Sequence, residues 1–95
     1  MKLKNKVAIL TGGGSGIGRA VSIRFAKEGA RCIIADIDGK NGESTAQEIK
    51  NKDGEALSIQ MDVSNQEEIH KTLDLCINHF STVDILFNNA AIFEM

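Results

Sequence analysis

The stretch Thr11-Gly12-Gly13-Gly14-Ser15-Gly16-Ile17-Gly18 holds five glycines in eight residues. Glycine inside a helix or strand costs roughly 0.5–1 kcal/mol relative to alanine, so such a cluster needs a reason. Before it runs Val7-Ala8-Ile9-Leu10, a continuous apolar run ending at glycines, the pattern of a strand buried on both faces. After it, from Ser15 to Glu28, Ile17, Val21, Phe25 and Ala26 recur at helical spacing, and Gly29 stands just beyond as a stop. A turn between a strand and a helix start presents free backbone N–H groups and the positive end of a dipole, which favour an anion. Glycines there permit the tight turn, the approach of a pyrophosphate to the backbone, and close packing of helix on sheet. The competing reading is a purely structural turn.

Working outward, Arg31 to Asp36 is a second apolar run closed by an acidic residue, and Asn41 to Lys52 is a polar amphipathic helix with Ala46 and Ile49 turned inward. Ala56 to Met61 alternates as a third, weaker strand. Ser64 or Asn65 caps a helix carrying Ile69, Leu73, Cys76, Ile77 and Phe80, and Ile85-Leu86-Phe87 forms a fourth strand before Asn88-Asn89. The order β-α-β-α-β-α-β with short connections implies an α/β fold with parallel strands, right-handed crossovers and helices on both faces. The expected strand order is 3-2-1-4, half of a doubly wound sheet. Two helices are then expected on one face and one on the other, with the fourth strand at an apolar edge.

Composition narrows the partners. The 95 residues are 42% apolar and 25% charged, with a net charge of -2, which gives no electrostatic footprint for nucleic acid or an anionic membrane. No apolar run approaches the ~20 residues that span a bilayer, and MKLKNKVAIL lacks the cleavage site expected of a signal peptide. A cytoplasmic location is expected, without nucleic-acid or membrane partners. Cys32 and Cys76 read as reduced packing thiols, and His70 and His79 as helix-surface residues, so no metal site is expected. The chain contains no proline, tyrosine or tryptophan.

The glycine spacing is not G-x-G-x-x-G, because Ile17 stands where the last glycine would fall; it is T-G-x-x-x-G-x-G, with Gly12, Gly16 and Gly18. With this turn, Asp62-Val63 after the third strand and Asn88-Asn89-Ala90-Ala91 after the fourth, the chain resembles the short-chain dehydrogenase/reductase family along its whole length. The resemblance implies a Rossmann-type three-layer α/β/α fold. It also implies cofactor binding by Gly12, Ser15, Gly16, Ile17 and Gly18, with Asp62 and Val63 at the adenine and Asn89 and Ala90 near the cofactor ribose. Asp62 could equally be a turn residue near Ser64, and Asn89 simply a good loop residue.

Asp36 ends the second strand eighteen residues after Gly18, where a carboxylate can accept hydrogen bonds from an adenosine ribose diol and repel a 2′-phosphate. Its alternative is a strand-end cap. Ser15 and Ile37 occupy the positions where NADP-preferring members of the family commonly carry a basic residue. NAD is therefore the expected cofactor.

Ala91 departs from the usual glycine of N-N-A-G, and Ser81 stands where many members have glycine after the third helix. The resemblance places the catalytic serine and the Tyr-x-x-x-Lys pair well beyond the fourth strand, so no catalytic residue is assigned among residues 1–95. These residues are expected to be the N-terminal part of a single dinucleotide-binding domain. The full-length enzyme is expected to be a homo-oligomer interconverting an alcohol with a ketone or aldehyde. The segment Asn88 to Phe93 looks somewhat like polyol or sugar-alcohol dehydrogenases. A non-catalytic nucleotide-binding or interaction protein of the same fold is the alternative.

Overall fold

The structure, a computed structural model, describes residues 2–62 and 64–88. Its elements are β1 (Val7–Thr11), α1 (Gly16–Lys27), β2 (Arg31–Asp36), α2 (Gly39–Asn51), β3 (Glu55–Gln60), α3 (Gln66–Phe80) and β4 (Ile85–Asn88). All four strands are parallel, in the order β3-β2-β1-β4, as the alternation of elements predicts.

The strand register separates two cores by simple alternation. Ala8 and Leu10 pair with Cys32 and Ile34 on one side and with Ile85 and Phe87 on the other. These side chains share a face with Ala56, covered by Val21, Phe25 and Ala26 of α1 and by Ala46 and Ile49 of α2. The opposite face carries Val7, Ile9, Ile33 and Ala35, covered by Ile69, Leu73, Cys76 and Phe80 of α3. The expected arrangement of two helices on one face and one on the other holds. On the α3 face Leu86 stays 60% exposed, beside a hollow of about 120 Å³.

Local chemistry sets the ends of the elements. α2 begins two residues earlier than its apolar pattern suggests, because Asp38 caps it by accepting from Lys40 and Asn41 N–H. Of the two candidate caps for α3, Asn65 serves, accepting from Glu67 and Glu68 N–H. Ser81 closes α3 in the left-handed region at φ 74°, where glycine would be less strained. Asp84 fastens the start of β4 to β1 twice: its carboxylate accepts from Val7 N–H, and its own N–H donates to the Val7 carbonyl. Both cysteines are free and buried, and burial pushes the Cys32 thiol up to about 12, so it packs rather than reacts. His70 and His79 lie exposed on α3. Among the described residues no helix is long and apolar enough to cross a membrane.

Candidate nucleotide-binding site

The central strand β1 has one neighbour reached through α1 and another reached only after β3 and α3. A crevice opens at such a reversal, outside the carboxyl ends of the strands. The glycine loop fills this position. Gly12 turns the chain at φ 65° while its N–H donates to the Ala35 carbonyl at 2.8 Å. Thr11 Oγ1 donates to Asn88 Oδ1 at 2.9 Å, which joins the ends of β1 and β4 across the reversal.

Gly13 and Gly14 are buried, and both lack space for a side chain. A Cβ at Gly13 would lie 2.9 Å from Ser22 Oγ, and one at Gly14 would lie 2.6 Å from Asp36 Oδ2. Ser15 and Gly16 are exposed, and Gly16 adopts φ 55°, where a Cβ would meet no atom within 4 Å apart from its chain neighbours and the adjoining backbone of α1. Gly18 is buried, and its carbonyl accepts from Ser22 Oγ at 2.7 Å within α1. Ile17 is 68% exposed.

The three helix starts differ. Asp38 and Asn65 cap α2 and α3 with their own side chains. Ser15 occupies the same position on α1 and makes no side-chain cap bond, and no acidic residue stands in the first turn. The start of α1 thus lacks a side-chain cap and lies beside an exposed glycine; uncapped helix starts in general can receive an anion.

Asp36 is 8% exposed at the end of β2. Its Oδ2 accepts from Gly14 N–H at 2.8 Å and its Oδ1 from Asp38 N–H at 2.9 Å. A carboxylate offers about four acceptor positions, so both oxygens retain capacity for hydroxyl donors. The strand-end cap and the ribose acceptor are compatible roles for this side chain. The exposed Ile37 follows it, and a wide, shallow hollow of about 740 Å³ lies alongside, lined by Ile37, Asp38, Lys40, Ser58 and Gln60 among others.

Asp62 Oδ1 accepts from Ser64 N–H and Oγ at 2.9 and 2.7 Å, and these bonds hold its carboxyl below its ordinary value. Its turn role is thus filled, while Asn65 does the capping. Val63, Asn89 and Ala90, also assigned to the cofactor from the sequence, lie outside the described residues.

Three participants are not evident from the sequence pattern. Gly14 is one of the variable positions of the motif, yet it contacts Asp36 and the start of α2. Thr45 is fully buried within α2 and donates from Oγ1 to the Gly14 carbonyl at 3.2 Å. Arg19 donates from Nη1 to Thr45 Oγ1 at 3.0 Å and pairs through Nη2 with Glu48. A hydroxyl residue in the inward stripe beside Ala46 was the available signal.

This fold, with an uncapped helix start after β1 and a carboxylate at the end of β2, defines a Rossmann-type α/β protein. Residues 6–95 match the family described as short chain dehydrogenase, and the chain belongs to that family. Its members use a nicotinamide cofactor. The chain is 42% identical over 91 residues to the uncharacterized oxidoreductase YxbG of Bacillus subtilis, covering 96% of this chain and 33% of that one. It is 41% identical over 96 residues to the short-chain dehydrogenase/reductase homolog YusS of the same organism, covering 97% and 85%. It superposes with a TM-score of 0.87 and 34% identity on a 7α-hydroxysteroid dehydrogenase complexed with NADH and 7-oxo glycochenodeoxycholic acid, covering 90% of this chain and 33% of that one. The chain thus spans about a third of YxbG and of that dehydrogenase, and most of YusS.

Proposed function

We propose that residues 1–95 form the NAD-binding part of an oxidoreductase that interconverts an alcohol with a ketone or aldehyde. One observation carries the cofactor choice: the Asp36 carboxylate, fixed by Gly14 N–H beside the open start of α1. Gly12, Ser15, Gly16, Ile17 and Gly18 would hold the pyrophosphate, and Asp36 the adenosine ribose diol. Asp62 and Val63 would meet the adenine, with Asn89 and Ala90 near the second ribose. The open space over Gly16 fits such a ligand, since a protein side chain would otherwise compete for it. When bound, the nicotinamide supplies the hydride acceptor or donor.

The residues of this chain bind and orient; a proton donor for the carbonyl oxygen is assigned to none of them, and the sequence holds no tyrosine. Substrates in this reading are small alcohols or carbonyl compounds, either a polyol or a ring alcohol like that of the hydroxysteroid relative. The whole protein would act in the cytoplasm as a homo-oligomer. The same site would also serve a second reading, a nucleotide-binding protein of this fold without catalysis.

Titration calorimetry with NAD and NADP tests the cofactor assignment. NAD should bind more tightly, by about tenfold or more, because a 2′-phosphate meets like charge at Asp36. Asp36→Ala should narrow the gap. Tighter binding of NADP by the unaltered chain would overturn the assignment, and loss of all nucleotide binding would overturn both readings.

A further inference from the structure

We propose that Thr45 is a positioning residue for nucleotide recognition, holding Gly14 so that its N–H aims the Asp36 carboxylate at the cofactor ribose. This inference rests on the NAD reading above and deepens it. Both polar backbone atoms of Gly14 are engaged by the protein: Asp36 Oδ2 accepts from its N–H, and Thr45 Oγ1 donates to its carbonyl. The direction of the Thr45 bond is settled by its neighbour. An arginine can only donate, so the hydroxyl accepts from Arg19 Nη1 and its single proton goes to Gly14. Arg19 is in turn fixed by Glu48, and Glu48 by Lys52 one helical turn on.

The result is a continuous path from the outer surface of α2 to the specificity carboxylate. Glu48 holds Arg19, Arg19 orients the Thr45 hydroxyl, Thr45 fixes Gly14, and Gly14 holds Asp36. Every buried side-chain oxygen along it is satisfied, and Thr45 is fully buried, so the geometry has little freedom to drift. The backbone of Asn41 and Gly42, in the same helix as Thr45, lies 2.7 Å from where a Cβ on Gly14 would stand. Gly14 is thus held sterically by α2 and oriented by Thr45.

Thr45→Val keeps the shape and removes the hydroxyl; Thr45→Ser keeps the hydroxyl. Calorimetry with NAD and NADP, on each variant and on Asp36→Ala, gives the ratio of dissociation constants. Thr45→Val should reduce the preference for NAD by about tenfold while Thr45→Ser retains it, since one well-placed hydrogen bond is worth about that factor. Hydrogen exchange at the Gly14 amide, read by NMR without nucleotide, should quicken in Thr45→Val and not in Thr45→Ser. Should Thr45→Val fail to fold, Arg19→Gln disturbs the same path from the partly exposed side and should also quicken Gly14 exchange and lower the ratio. An unchanged ratio in the folded Thr45 or Arg19 variant, alongside a collapsed ratio in Asp36→Ala, would overturn the role of Thr45 and leave the NAD reading standing. A ratio unaffected by Asp36→Ala would overturn the NAD reading itself, and this proposal with it.

Discussion

A methyl group added at Gly14 would stand 2.6 Å from Asp36 Oδ2 and 2.7 Å from the backbone of Asn41 and Gly42, whereas one added at Gly16 would meet nothing within 4 Å beyond its chain neighbours and the adjoining backbone of α1. The two glycines lie two residues apart in one loop. At Gly14 the backbone dihedral lies outside the left-handed region, and the missing side chain makes room for the protein itself. At Gly16 the dihedral is left-handed, and the open side of the residue faces solvent. The comparison separates a glycine whose missing side chain makes room for the fold from one whose open side the proposed NAD site would use.

The largest effect is expected on the inner side. Gly14→Ala should destabilise the chain by about 3 kcal/mol, because relief requires α2 to shift and the Asp36 bond to break. Urea unfolding measures this, and a variant as stable as the unaltered chain would break the contrast. Gly16→Val should cost less stability, about 2 kcal/mol for a side chain held at positive φ, and should abolish NAD binding. Calorimetry showing undiminished NAD affinity in the folded variant would remove Gly16 from the proposed site. The caps sharpen the same distinction at a smaller scale. Asp38→Ala should cost about 1 kcal/mol, as loss of a working N-cap does, whereas Ser15→Ala should change stability by less than about 0.5 kcal/mol. Thermal unfolding of the pair checks it: equal losses would mean that Ser15 does cap α1.

The fold was legible because its strands are nearly unbroken apolar runs and its punctuation is strong. Val7 to Leu10 and Arg31 to Asp36 needed only length and their flanking residues to be placed, and the order of elements then constrained the sheet. The ends were less legible where a single side chain decides them, as Asp38 does for α2. Within the site, Gly12, Gly16, Gly18 and Asp36 stand out because spacing along the chain carries their roles. Thr45 and Arg19 do not, because their meaning lies in contacts between α1 and α2 some 26 residues apart. Gly14 falls between these cases: its identity is visible, but the neighbour that forbids a side chain belongs to another element.

The Asp84 clamp bears on the order in which the sheet can be assembled. Its bond to Val7 joins residues 77 positions apart, and β1 is the interior strand flanked by β2 and β4. The first strand made is therefore the one whose pairing finishes last. β1, β2 and β3 can associate as the intervening helices form, but the outer ladder of β1 must wait for Ile85 to Asn88 to emerge and return across the chain. Long-range closure of this kind slows folding, so removal of the Asp84 carboxylate should register in the folding kinetics of the last strand as well as in equilibrium stability.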